Sequence, residues 1–289
     1  VAEPADGGPV TATFQRPDCT TMDIEADILV AAEGIHSALR RIRYPAEGLP
    51  RYGGRILWRA VSRAKPFLSG ASMIMAGYQD VKFVAYPIET PDADGTQLIN
   101  WIAELTVDQM PERENWNKEG DKADFASHFA DWRFDWLDVP GLIAGADKVF
   151  EFPLVDRDPL PRWSFGRTTL LGDAAHPMYP IGSNGASQGI LDADALTRAL
   201  AAHPDPVEAL AAYEAERLPA TAAIVLANRG NGPEQCMQMA QERAPDGFAQ
   251  LSDVFADGEL EGIAARYKAV AGFSKEAVQA KVAAATHPA

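Results

Sequence analysis

The chain has 289 residues, of which 47% are hydrophobic and 23% are charged, a balance typical of a globular protein. That length can bury a substantial core and can hold two domains. Lys and Arg total 26 and Asp and Glu total 41, so the formal net charge is −15. A surface this acidic argues against nucleic acid and anionic membranes as partners.

Cysteine usage, the lengths of the apolar runs and the first residues further restrict the class of protein. Cys19 and Cys236 lie far apart and predict neither a disulfide framework nor a metal site. No apolar run is long enough to span a bilayer and no signal peptide is visible, so we predict a cytoplasmic protein without a stable membrane anchor. The chain opens on Val1 with a polar segment, which predicts a fragment of a longer protein.

The N-terminal region predicts strands and one short helix. Apolar and polar side chains alternate over residues 9–17, and several are β-branched, which predicts a strand. Residues 19–25 predict a turn, and a second short strand in this segment is an open alternative. The apolar run 26–34 ends in an acid and a glycine, the pattern of a buried parallel strand that ends at a ligand edge. Residues 35–41 continue as a helix that carries basic side chains.

The middle of the chain predicts an antiparallel sheet, because short Gly, Pro and Asp turns separate its apolar runs. Four strands are predicted, at 55–61, 72–76, 82–88 and 96–104. A charged loop at 111–120 precedes a short amphipathic helix at 124–132, whose positions 125, 129 and 132 share one face. Residues 148–155 predict a returning strand.

Aromatic residues of this sheet are candidates for a substrate pocket. Period-two alternation puts Trp58 on one face of the first strand and Arg55 and Arg59 on the other. Trp58 is then a candidate pocket wall, with Tyr86 and Trp101 as further candidates, and either arginine could bind a substrate carboxylate. The alternative is that the rings are core residues and the arginines lie on the surface.

The most informative stretch follows a short apolar strand at 168–171. Gly172 and Asp173 place a carboxylate at the carboxyl end of that strand, where open α/β sheets bind ligands. A loop of small residues and prolines leads to a helix that begins through Ser183 and Asn184, two good N-cap residues. The carboxylate could accept hydrogen bonds from hydroxyl groups, and the helix amides could donate to an electron-rich carbonyl or ring nitrogen.

The rest of the chain is mostly helical. Asp205 and Pro206 start a helix well, as N-cap and first-turn residues, and Pro219 is expected to kink it or to mark a junction. Helices are predicted at 188–202, 205–228, 234–243, 248–255 and 259–285. The tail could pack on the preceding domain or form a homodimer contact.

Two runs carry a resemblance to a known family. Residues 172–177 and 180–185 together resemble the second FAD-binding motif of the class A flavoprotein monooxygenases, which include para-hydroxybenzoate and salicylate hydroxylases. Gly34, Ser37 and Arg40 match a different motif of that family, Asp-Gly-x-x-Ser-x-x-Arg, which contributes to binding both FAD and the pyridine nucleotide. Glu33 departs from it, because the family has Asp at that position.

The resemblance implies a set of cofactor-binding residues. It implies that Asp173 holds the ribityl chain of FAD and that residues 180–186 lie beside the pyrimidine end of the isoalloxazine ring. The cofactor-binding residues that it implies are Gly172, Asp173, Pro180, Gly182, Ser183, Asn184, Gly185, Ala186, Glu33, Gly34 and Arg40. A similar Asp-Arg-x-Pro link precedes the motif in the family, which would bring Arg157 near FAD, although pairing with Asp156 or Asp158 explains that arginine equally well.

The resemblance also implies the fold class, a mixed α/β chain. A partial Rossmann-like FAD-binding domain would take residues 1–50 and 149–230, with an inserted antiparallel-sheet substrate domain at 51–148 and a C-terminal helical segment at 231–289. Its Rossmann fingerprint, Gly-x-Gly-x-x-Gly, occurs nowhere in this sequence. We therefore expect the chain as given to bind FAD weakly or not at all.

The implied activity of the intact protein is hydroxylation of a small phenolic or aromatic-acid substrate. In the family NADH or NADPH reduces FAD, and dioxygen then forms a C4a-hydroperoxide that attacks the ring. That chemistry needs no charged catalytic side chain, so no catalytic residue is assigned, and His176 is interpreted as structural. The alternatives are a related FAD oxidoreductase, such as a halogenase or reductase, and a cofactor-free fragment without activity.

Overall fold

The computed structural model describes residues 1–3, 8–109 and 118–279, in which helices and strands are mixed. The strands are β1 (Val10–Gln15), β2 (Thr21–Ala26), β3 (Leu29–Ala31), β4 (Arg51–Ala64), β5 (Ile74–Gly77), β6 (Val81–Pro87), β7 (Gln97–Thr106), β8 (Arg133–Phe134), β9 (Leu137–Asp138), β10 (Val149–Asp156) and β11 (Thr168–Leu170). The α-helices are α1 (Ala38–Arg43), α2 (Val139–Ala144), α3 (Gly185–Ala202), α4 (Pro206–Arg229), α5 (Gln235–Arg243) and α6 (Glu259–Val270). The mixed fold class is confirmed.

The chain forms two compact units. The first unit comprises Val1–Arg51, Val155–Cys236 and Phe255–Ala289, and the second comprises Tyr52–Leu154 and Met237–Val254. The C-terminal helical segment expected at 231–289 is therefore divided between the units. The reason is local packing: α6 buries Ile263 in the first unit, whereas Gln238 accepts a hydrogen bond from the backbone of Gln79 in the second. The functional identity of the two units stays a prediction.

The second unit contains a five-stranded sheet with the order β10-β4-β7-β6-β5. Pairing between β4 and β7, β7 and β6, and β6 and β5 is antiparallel, which confirms the four predicted strands. The register pairs Trp58 with Ala103 and Ala60 with Trp101, so both tryptophans lie on one face. That face, together with Phe83 and α2, forms the hydrophobic core of the unit.

The predicted amphipathic helix at 124–132 is instead two short 3₁₀ segments, Lys122–Asp124 and Ala126–Phe129. The pattern did identify the buried residues, because Phe125 and Phe129 are fully buried. Phe125 has φ −137°, which interrupts the helical path and stacks its ring on Trp58 with centroids 4.9 Å apart. Packing of that ring therefore overrides the helical spacing. The charged loop expected at 111–120 lies largely outside the described residues.

The helix predictions after residue 184 are mostly confirmed. Asp205 caps α4 by accepting from the Val207 amide, and the helix continues through Pro219 without a break. The helix expected at 248–255 is reduced to one 3₁₀ segment at Leu251–Asp253. The single helix expected at 259–285 is wrong: α6 ends at Val270, Gly272 adopts a left-handed φ of 74°, and a separate helical stretch begins at residue 275. Residues 280–285 of that prediction lie outside the described residues. Within the part of the chain that the structure describes, no helix is both long and apolar enough to cross a bilayer.

In the first unit β3 and β11 pair in parallel, with Val30 opposite Thr169, as the apolar run 26–34 predicted. Strands β1 and β2 form an antiparallel pair. Helices α3 and α4 cover β11, and Tyr213 of α4 donates a hydrogen bond of 3.0 Å to the carbonyl of Leu170. The carboxyl end of β11 is thereby held directly beside the two longest helices of the described chain.

A buried ionic cluster fixes the chain just after β11. Asp192 of α3 is fully buried and accepts hydrogen bonds from Arg217 Nε at 2.7 Å and from the Gly172 amide at 3.0 Å. The Nε2 atom of His176 lies 2.5 Å from the same carboxylate. Burial opposes ionisation, but His176 and Arg217 outweigh it and hold the pKa of Asp192 below its ordinary value.

We predict that Asp192→Asn lowers the free energy of unfolding by about 3 kcal/mol at neutral pH, because it leaves the Arg217 charge buried and unpaired. A carboxyl whose pKa is lowered by folding stabilises the protein above its unfolded pKa of about 3.9, and that stability is lost as the pH falls through the folded pKa. The difference between wild type and variant should therefore shrink in acid. Urea unfolding at several pH values measures it.

The matched control is Asp194→Asn on the same helix. Asp194 is exposed and pairs with Arg198 one turn away, so the substitution should change the free energy of unfolding by no more than about 0.5 kcal/mol. Equal effects of the two substitutions would contradict a special role for the buried cluster.

Candidate functional site

The site begins at the carboxyl end of β11, where Gly172 has φ 60° and opens a 3₁₀ turn at Gly172–Ala174. The side chain of Asp173 is exposed and accepts no hydrogen bond among the described residues. Protein atoms around it nevertheless raise the pKa of Asp173 by desolvation, an effect that His176 opposes and the Asp192 charge reinforces. An unpaired carboxylate at a strand end is therefore available to a ligand that donates hydrogen bonds.

The turn before α3 has an unusual backbone. Gly182 has φ 73° and Ser183 has φ 53°, so two consecutive residues adopt left-handed conformations. Asn184 occupies the N-cap position of α3, but its side chain does not cap the helix. The amides of residues 185–187 consequently have no acceptor in the described chain, which leaves the positive end of the α3 dipole uncapped.

Glycines leave room beside these polar groups. A Cβ atom added at Gly172 or Gly185 would meet no other heavy atom within 4 Å, so a planar group could approach the backbone there. A Cβ atom at Gly182 would instead lie 2.1 Å from the hydroxyl of Tyr267. The open space thus lies at Gly172, which precedes Asp173, and at Gly185, in the first turn of α3.

The motif at residues 33–40 forms the start of α1. Gly34 has φ 83°, and the Oε1 atom of Glu33 accepts from Ser37 Oγ and from the Ala38 amide, both at 2.9 Å. Glu33 therefore holds the first turn of α1. A direct contact of its carboxylate with a cofactor stays a prediction.

Arg40 joins the two motifs. Its guanidinium is buried and donates to the carbonyls of Ala174 at 3.1 Å and Ala175 at 2.8 Å, directly after Asp173. The remaining nitrogen atoms donate to Glu47 and to the carbonyl of Asp158. This geometry favours a role in holding the loop, and contact of Arg40 with a cofactor stays a prediction.

Arg157 pairs with Glu47 rather than with its neighbouring aspartates. Its Nε donates to the carbonyl of Ile35 at 3.0 Å, and its Nη1 lies 3.2 Å from Glu47. Asp156 and Asp158 pair with Arg229 instead. The link 156–163 is therefore held by two separate ionic contacts in the first unit.

The three aromatic substrate candidates do not share one face of the sheet. Trp58 and Trp101 are core residues, and Trp101 Nε1 donates to Ser62 Oγ at 2.9 Å. Tyr86 lies on the opposite face, directly across from Asn100. Core packing accounts for both tryptophans without a ligand, and a substrate role for any of the three residues stays a prediction.

The two arginines considered for a substrate carboxylate lie on the Tyr86 face. Arg55 is buried, and its Nη1 lies 2.7 Å from Glu104 Oε1. Lys82 Nζ lies 3.1 Å from the other oxygen of Glu104, which completes a buried triad. The guanidinium of Arg59 lies over the ring of Phe152 at 6.0 Å. Of the two, Arg59 has the more accessible side chain.

Sequence reasoning missed several residues that shape the site. Asp192 shares the buried face of α3 with Ala195, Leu196 and Ala199, and Arg217 lies on the buried face of α4. A charged residue at helical spacing among apolar residues was the sequence signal that could have identified both. Tyr267 comes from a helix more than 80 positions after the turn that it contacts. No cluster of three or more His, Cys, Asp or Glu side chains in the described ranges could hold a metal ion.

Comparison with known proteins identifies the family. The FAD binding domain family matches residues 1–228. The chain is 47% identical over 217 residues to a phenazine 1,6-dicarboxylic acid hydroxylase of Lysobacter antibioticus, covering 73% of this chain and 53% of that protein. It is 34% identical over 258 residues to a 3-amino-4-hydroxybenzoate 2-monooxygenase of Streptomyces platensis, covering 84% of this chain and 62% of that protein.

The fold also resembles solved structures. The crystal structure of Klebsiella pneumoniae HpxO complexed with FAD and uric acid superposes with a TM-score of 0.63 at 21% identity, covering 96% of this chain and 62% of that one. The chain thus spans little more than half the length of the relatives that it matches. The match over residues 1–228 shows that the chain belongs to the FAD binding domain family, and the two relatives are named as a hydroxylase and a monooxygenase of aromatic acids.

Proposed function

We propose that the chain is part of an FAD-dependent monooxygenase that uses NADH or NADPH and dioxygen to hydroxylate an aromatic carboxylic acid. The observation that carries this proposal is the unpaired carboxylate of Asp173, whose 3₁₀ turn contacts α3, together with the uncapped start of that helix. Such a pair suits a ligand with hydroxyl groups at one end and an electron-rich ring at the other.

The residues present fit a flavin. Asp173 would accept from the ribityl hydroxyls, and the amides of residues 185–187 would donate to the pyrimidine edge of the ring. Open space at Gly172 and Gly185 would admit a planar group against the backbone. When bound, FAD supplies the redox and oxygen chemistry, and the protein supplies orientation and a site from which water is excluded.

The proposed substrate class rests on the relatives. One is named for a phenazine dicarboxylic acid and another for an aminohydroxybenzoate, so both names describe aromatic carboxylic acids. Tyr86 and Arg59 lie on the same face of the second unit's sheet and are the candidates to contact a ring and a carboxylate. Trp58 and Trp101 are weaker candidates, because the core already surrounds them.

The activity is tested by following NADH and NADPH oxidation in flavin-loaded protein with and without benzoate-type acids. We expect the acid to stimulate oxidation and to yield a product heavier by one oxygen atom, detected by mass spectrometry. Oxidation without a modified product would indicate a reductase. A halogenated product, formed in the presence of chloride or bromide, would indicate a halogenase.

We predict that the chain as given binds FAD no more than about threefold more tightly than riboflavin. The sequence lacks the glycine-rich loop that would cradle the pyrophosphate, so the ADP half of FAD should gain few contacts. Titration of flavin fluorescence measures both dissociation constants. A preference for FAD beyond about tenfold, or 1.4 kcal/mol, would show that the chain holds the pyrophosphate after all.

We predict that Asp173→Ala weakens riboflavin binding by about 10- to 100-fold, the value of hydrogen bonds to a charged group. Lumiflavin, which has the ring but no ribityl chain, should bind the variant and the wild type within about twofold. Asp194→Ala, an exposed acid on α3, is the control and should change neither constant. Equal losses for both flavins would remove Asp173 from its role at the ribityl chain.

A further inference from the structure

Tyr267 of α6 contacts the turn before α3 through its hydroxyl group. The hydroxyl accepts from Asn184 Nδ2 at 2.8 Å and donates to Asn228 Oδ1 at 2.7 Å. It also lies 3.2 Å from the carbonyl oxygen of Ile181. Burial raises the pKa of Tyr267, while the hydrogen bond from Asn184 opposes that rise, so the group acts as a neutral hydroxyl.

Two glycines form a slot for this ring. A Cβ atom at Gly182 would lie 2.1 Å from the Tyr267 hydroxyl, and one at Gly232 would lie 2.9 Å from Cε2 of the ring. Both glycines have positive φ, at 73° and 46°. The ring therefore occupies a space that exists only because neither position carries a side chain.

The contacts of Tyr267 bracket the strained part of the turn. Ser183 has φ 53°, a conformation that a serine maintains only when its surroundings impose it. Ile181 precedes the left-handed pair and Asn184 follows it, and the Tyr267 hydroxyl contacts both. The Asn184 side chain is thereby engaged away from the start of α3, which it does not cap.

A second contact links the same elements. Gln188, in the first turns of α3, donates from Nε2 to the carbonyl of Ala271 at 3.1 Å, just after α6. Asn228 of α4 extends the chain of hydrogen bonds, because its Nδ2 donates to the carbonyl of Tyr179 at 3.0 Å. The turn is thus held from the side of α6 and α4, and the open space at Gly185 is left clear.

We infer that Tyr267 is a positioning residue: its hydroxyl clamps the turn 181–184 in the left-handed conformation that presents the uncapped amides of α3. Its consequence for flavin rests on the proposed function, because those amides are the groups assigned to the ring edge. Tyr267 itself is assigned no contact with the flavin.

Three variants of the full chain test this inference: Tyr267→Phe, Ser183→Gly and the double variant. Lumiflavin is the probe, because it reports the ring edge alone, and hydrogen exchange over residues 179–188 reports the turn without any ligand. We expect Tyr267→Phe to weaken lumiflavin binding about fivefold, the value of a hydrogen bond of ordinary strength, and to speed exchange in this segment.

Ser183→Gly should rescue both properties in the Tyr267→Phe background, because glycine adopts positive φ without the clamp. We expect affinity in the double variant to return within about twofold of wild type. Tyr44→Phe, which removes a hydroxyl that donates to the carbonyl of Arg162 elsewhere in the first unit, should change neither property.

The outcomes distinguish a clamp on the turn from a purely packing role of Tyr267, and they distinguish the clamp from the proposed flavin site. If Tyr267 only packs α6 against the domain, Ser183→Gly will not rescue the loss, and the inference is overturned. Unchanged exchange in Tyr267→Phe overturns it equally. If the wild-type chain binds no lumiflavin while exchange responds and is rescued as expected, the proposed flavin site fails and the clamp stands.

Discussion

The candidate site depends on the hydrogen bonds and ion pairs of one buried carboxylate, that of Asp192. This carboxylate binds Arg217 of the next helix, His176 of the loop and the amide of Gly172, so one group fixes three segments at the end of β11. Because desolvation makes an unpaired buried carboxylate very unfavourable, these partners must stay together. The neighbouring Asp173 is then presented outward by a backbone that cannot easily move. The ionic cluster is therefore a positioning device as much as a stabilising one.

The glycines of the site serve two opposite purposes. Gly172 and Gly185 face open space, so their missing side chains leave the backbone accessible. Gly182 and Gly232 face Tyr267, so this tyrosine occupies the space that their side chains would otherwise take. In sequence these glycines look alike, and Gly232 belongs to a run that merely interrupts a helical pattern. Only the path of α6 distinguishes a glycine that faces open space from one that contacts a tyrosine.

This difference shows what the sequence could predict. Local signals were sufficient for the strand at 168–171, for the carboxylate that follows it, for Asp205 as the cap of α4 and for the antiparallel sheet. Contacts between distant segments were not predictable, because no local pattern records them. Arg40 looks like a solvated helix residue in sequence, yet it is buried against carbonyls 134 and 135 positions away. The period of 125, 129 and 132 identified buried rings but could not anticipate that Phe125 would break the helix to stack on Trp58.

The polar groups of the first unit thus divide into those that are satisfied and those that are not. Arg40, Asp192 and Arg217 are buried within hydrogen-bonded networks, whereas Asp173 and the first amides of α3 have no partner in the described chain. The raised pKa of Asp173 means that its ionised form is less stable there than it would be in water, chiefly because of desolvation. A ligand that donates hydroxyl groups to the carboxylate would relieve that penalty and lower the pKa again. Proton linkage then requires such a ligand to bind more tightly as the pH rises through the pKa of the free site, and an apolar ligand would show no such dependence.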